Sequence, residues 1–249
     1  MLQRPAYVPE WISTAPMTFR FNNEISLALD NPGNIPEWLG DPLWRVNYKG
    51  KAALGLACIE WVAWRLAGLT DVTDLLSRLE AAWASMVALP YSKNLDYDGV
   101  SNDVMNRGNP DGPRQDALIR VQDLNFVFKK GRHQMSMEAG KCAALGLHML
   151  PPDADFEPWL RRALDALAKN CPAGEVDQPK GKVKVIDHSA QRPVPREWFE
   201  ALSTPVDDAA DRAAWDRFLR GLEPSANPYL VPADTLLAEG FTGPLYRMD

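Results

Sequence analysis

KGKAALGLACIEWVAWRLAG, residues Lys49 to Gly68, decides the fold class. Apolar or small residues occupy every side of a helix drawn over it, and a helix without a polar face must be enclosed by other helices. The stretch is echoed by AGKCAALGLHML, Ala139 to Leu150, where Gly-Lys again precedes the pentapeptide Ala-Ala-Leu-Gly-Leu. Gly55 and Gly146 lie inside the two copies. Glycine weakens a helix, so its use here predicts a neighbouring backbone in close approach. Ala52 to Leu69 is barely long enough to span a bilayer, and Glu60 and Arg65 inside it favour a buried helix of a soluble protein.

Working outward, Val72, Leu75, Leu76, Leu79, Trp83, Met86 and Val87 follow the spacing of one buried helix face from Asp71 to about Leu89, with Asp71 as N-cap and Pro90 as terminator. On the N-terminal side, Thr18 to Leu29 predicts a short amphipathic helix. After the second copy, Asp155 to Lys169 repeats the amphipathic pattern, and Arg114 to Lys130 and Gln134 to Leu150 read as the helices before it. Pro, an acid and Trp recur together at Pro9-Glu10-Trp11, Pro36-Glu37-Trp38, Glu157-Pro158-Trp159 and Pro195-Arg196-Glu197-Trp198. Pro at the first helical position and an acid facing the positive end of the helix dipole make these helix starts.

The expectation is therefore an all-α, stacked helical array with an inexact internal duplication, about residues 16–90 and 113–170. A repeat-like domain over 1–170 is followed by a linker and a smaller C-terminal helical extension over 171–249, with helices near 195–202, 205–222 and 232–239. Lys182-Val183-Lys184-Val185-Ile186 alternates like a short edge strand.

A net charge of −6 over 249 residues disfavours nucleic acid, which needs a basic field. Cys58, Cys142 and Cys171 form no CxxC and fit a reducing compartment, and the N-terminus MLQRPAYVPEW lacks a signal-peptide core. A cytoplasmic location follows as an expectation, with no membrane partner. An Ala-, Arg- and Pro-rich, Ile-poor composition points to a bacterial source.

Three groups of residues carry candidate chemistry. The Asn-, Asp- and Gly-rich loop places Asn94, Asp96 and Asp98 at alternate positions before Gly99, the first half of a calcium loop. Met105 stands where a bidentate Glu is needed, and Asp103 is the nearby carboxylate. Arg107, Arg114, Lys129, Lys130, Arg132 and His133 fall in the one stretch with a positive excess, a candidate surface for an anion or an acidic partner. Asp207, Asp208 and Asp211 have the spacing of magnesium-diphosphate carboxylates, but at the start of a helix they read as dipole partners. His133, His148 and His188 form no metal or catalytic motif, and Glu60, mid-helix among apolar residues, is either exposed or a buried acid needing a partner such as Arg.

With no assembled catalytic set, the function expected is that of a non-enzymatic, protein-binding protein. Its concrete form is a toxin-immunity or adaptor protein covering a partner's basic site with an acidic face, with a homodimer as a further arrangement. No cofactor is required by this reading. The alternative is a small metal-dependent enzyme using a divalent ion at the loop 94–103.

Overall fold

The structure is a computed structural model that describes residues 2–97, 110–177, 185–202 and 207–248. It is all-α: 62% helix, with no strand among the described residues. In chain order the helices are α1 Asn23–Asp30, α2 Glu37–Leu43, α3 Tyr48–Leu66, α4 Thr73–Val87, α5 Asp111–Lys129, α6 Met135–Met149, α7 Phe156–Asn170, α8 Asp208–Arg220 and α9 Ala233–Ala238. Among them, none is long and apolar enough to cross a membrane.

α3 is the axis. Every one of its residues except Trp64 is buried, because α4, α5, α6 and α7 and the short turns at Glu10–Ser13 and Arg196–Glu200 all pack on it. The enclosure required by its apolar sequence is thus met from all sides. Gly55 accounts for the close approach of α6: a Cβ there would lie 3.4 Å from the Ala139 Cα and about 3 Å from the Leu124 methyl groups.

The two Ala-Ala-Leu-Gly-Leu copies sit on α3 and α6, which pack together, but the internal duplication is not confirmed. Corresponding glycines meet different neighbours. Against Gly146 lies the ring of Phe156, a side chain and not the backbone the sequence suggested.

Element boundaries depart from the sequence reading where local side-chain bonds decide them. α1 begins at Asn23, since Asn22 caps it by accepting from the Ile25 N–H. Asp71 does not cap α4. It lies one residue further out and accepts from the Thr73 N–H at 2.9 Å. α5 starts three residues early, at Asp111, and residues 196–200 form a tight 3-10 turn. Of the expected strand, Lys182, Val183 and Lys184 lie outside the described residues; Val185 and Ile186 are irregular, with the Ile186 N–H on the Gly131 carbonyl at 2.6 Å.

Two buried charge clusters hold the array. Glu60, fully buried, accepts from the Trp83 indole at 2.5 Å, the Tyr7 hydroxyl at 3.0 Å and Arg196 Nε at 2.7 Å, so that the first residues and the C-terminal region are both tied to α3. Arg120 on α5 pairs with Asp116 at 3.2 Å and Asp30 at 2.7 Å, and Lys141 on α6 reaches the same Asp30 oxygen at 2.9 Å. Trp198, Phe199, Trp215, Leu219 and Leu236 join the same apolar core as α3.

Candidate functional site

Where the N-terminus of α3 meets the C-terminal ends of α4 and α5, a cavity of about 390 Å³ opens. Lys49, Ser85, Phe128, Lys129, Lys130 and His188 are among the residues lining it.

Its wall is built from a helix end. α5 stops in a Schellman motif: Gly131 takes a left-handed φ of 60°, its N–H bonds the Phe128 carbonyl at 3.1 Å, and the Arg132 N–H bonds Val127 at 3.0 Å. The turn then holds the segment at 185–189 through the Gly131–Ile186 bond. A Cβ at residue 131 would sit 2.5 Å from the Ile186 carbonyl, so both the conformation and the contact require glycine.

His188 is sandwiched between Tyr48, 4.8 Å away and nearly parallel, and Phe128 at 4.6 Å. Its Nε2 lies 3.0 Å from the Phe128 carbonyl. A carbonyl only accepts, so the proton is on Nε2 and Nδ1 carries the lone pair. That Nδ1 is buried with no hydrogen-bond partner. Burial, reinforced by the charge of Lys49, lowers the His188 pKa against the opposing pull of the Phe128 carbonyl, so the ring is neutral at pH 7.

Lys49 is 7% exposed, and among the described residues no hydrogen bond or ion pair engages its ammonium. Burial pulls its pKa down to about 8. Its place in the first turn of α3, at the positive end of the helix dipole, acts in the same direction. Lys51, two residues on, differs. Although burial lowers its pKa too, it faces the Trp44 ring at 5.6 Å and feels the charge of Asp177.

The helix terminus itself is already satisfied. Asp177 accepts from the Tyr48 N–H, Gln191 from the Lys49 N–H and Asn47 from the Gly50 N–H. Among the described residues, the Lys49 ammonium has no charged partner, and the His188 lone pair on Nδ1 is buried without a donor.

Lys129 adds positive charge while its Nζ donates to the Ser92 carbonyl at 2.6 Å, and Lys130 is exposed at the rim. Asp187, the one carboxylate lining the cavity among the described residues, is occupied by the Ser189 N–H at 3.0 Å and hydroxyl at 2.6 Å, bonds that also hold its pKa low.

The basic candidates from the sequence are thus divided. Lys129 and Lys130 line this cavity, and Lys130, Arg132 and His133 line a neighbouring one. Arg114 stands at the opposite end of α5, roughly 22 Å away along the helix, beside Asp111. Arg107 lies outside the described residues, as do Asp98 and Asp103 of the metal candidates. Asn94 and Asp96 are exposed, and the Asp96 carbonyl accepts from Arg78 at 3.0 Å. Among the described residues, no three acidic, His or Cys side chains come together to hold a metal ion. Asp207 caps α8 through the Ala209 N–H, and Arg192 pairs with Asp208 and Asp211, as dipole chemistry predicts.

Sequence reasoning missed Lys49 and His188 as site residues. A signal existed for the first. Lys49 and Lys51 open an apolar helix at the end where cations are disfavoured, with no acid on the next two turns to pair with them. Compared with known protein families, curated proteins and solved structures, the chain finds no match.

Proposed function

We propose that this chain is a binding protein that holds an acidic group of its ligand, carboxylate or phosphate, in the cavity around Lys49. The observation carrying the reading is a largely buried lysine whose ammonium has no counter-ion among the described residues. Such a charge costs several kcal/mol unless it is paired, and a bound anion is the direct compensation. Lys129 and Lys130 supply further positive field, and the Asp187 carboxylate is already engaged by Ser189.

The reading keeps the expected binding class and changes the partner's chemistry. The contacting group is acidic, in keeping with the anion or acidic partner expected at Lys129 and Lys130, whereas the immunity form of the expectation had a basic partner. An immunity or adaptor role fits the same class, with an acidic segment of the partner protein as the ligand.

Calorimetric titration at pH 7 and low salt with oxalate, inorganic phosphate and an Asp/Glu-rich peptide tests it. Binding is expected for at least one of them, weakened by salt, reduced in Lys130→Ala and lost in Lys49→Met. Equal affinity in the folded Lys49→Met protein would remove the proposal.

A further inference from the structure

Lys49 brings a primary amine to a cavity where, among the described residues, no carboxylate holds its proton. A lysine in that position gives up its proton more readily than a solvated one, and a neutral amine in a pocket is a nucleophile for carbonyl carbon. His188 commits its Nε2 proton to the Phe128 carbonyl, and its neutral ring adds no negative charge that would hold the Lys49 proton. Lys49 and Lys130 line the same cavity, Lys130 from the exposed side.

We propose that Lys49 forms an imine with a small acidic carbonyl compound, a 2-oxo acid or an aldehyde acid, whose carboxylate is held at Lys130. This rests on the anion-binding reading and names its ligand class. The Lys49 nitrogen lone pair attacks the carbonyl carbon and the C=O π pair moves to oxygen. Solvent water carries one proton from nitrogen to that oxygen, giving a carbinolamine. A second proton follows the same route as the hydroxyl leaves as water and the nitrogen lone pair closes the C=N bond. One amine and one carbonyl yield one imine and one water, with no change in oxidation state.

The test treats the full chain with glyoxylate and sodium cyanoborohydride, which reduces any imine to a stable secondary amine, and maps the product by peptide mass spectrometry. The expected result is labelling of Lys49 about tenfold or more faster than of the exposed Lys169, suppressed by saturating oxalate. Lys130→Ala, at an exposed position, raises the glyoxylate concentration required by a larger factor than the concentration of uncharged propionaldehyde. Lys49→Arg abolishes the site-specific product. If oxalate binds in a Lys49-dependent way but Lys49 is labelled no faster than Lys169, the imine proposal is refuted and the anion site stands. If oxalate neither binds nor protects, the anion-binding reading fails and this proposal fails with it.

Discussion

Arg196 approaches Glu60 through Nε, 2.7 Å from one carboxylate oxygen and 2.9 Å from the other, and so fixes the turn at 196–200 against the middle of α3. The Trp83 indole and the Tyr7 hydroxyl complete the carboxylate's shell. An acid in an apolar helix is tolerated here because each oxygen has donors from distant parts of the chain.

Removing Glu60 alone leaves the half-buried Arg196 guanidinium, the Trp83 indole and the Tyr7 hydroxyl without their shared acceptor. Glu60→Ala is expected to lower unfolding free energy by about 3–5 kcal/mol in urea denaturation, and Glu60→Leu combined with Arg196→Leu to recover part of the loss. A loss below about 1 kcal/mol for the single variant would show that the pair is not the tie described.

Gly68 closes the end of α3 under the N-terminal turn. A Cβ there would stand 2.0 Å from the Ser13 carbonyl oxygen, which is backbone and has no rotamer to give way. Gly68→Ala should therefore cost about 1–3 kcal/mol or more. Proteolysis should then cut first within residues 2–15, before the helices.

The depressed pKa of Lys49 also sets a pH dependence of stability. Its folded value is about 8 and the ordinary value about 10.4, so the charged form is penalised by folding. The penalty is complete below pH 8, where both states are protonated, and it vanishes above about 10.4, where neither is. Lys49→Met should stabilise the protein near pH 7 by on the order of 1–3 kcal/mol, with the gain shrinking as pH rises from 8 towards 10.4. Chemical denaturation at pH 7, 9 and 10.5 reads the trend. A gain that does not change with pH would assign it to packing instead.

Much of the fold was legible in sequence because it rests on local patterns. The apolar run from Ala52 demanded enclosure, and the spacing in α4 and α7 marked their buried faces at Leu75, Leu79 and Trp83 and at Trp159, Ala163 and Leu167. The start of α5 was obscured because Asp111-Gly112-Pro113 has loop composition, although Pro in a first turn is compatible with a helix. Glu60 announced itself as needing a partner, but its partner lies 136 residues away. The cavity was illegible for the same reason. Lys49 opens α3 and His188 follows a connector, and only the packing of α3 against the end of α5 brings them together. His188 carries no motif, and its unpaired nitrogen is a property of the fold.

The most direct measurement of the central claim is the pKa of Lys49 itself, followed by NMR at its side-chain methylene carbon with and without saturating oxalate. The free protein should titrate near 8, and oxalate should move the midpoint upward, since an anion bound to the ammonium favours the protonated form. Anion affinity should correspondingly fall as pH rises above 8. A free-state value near 10.4 that oxalate leaves unmoved would contradict the account, because Lys49 would then be an ordinary solvated lysine and the cavity would hold no unpaired charge.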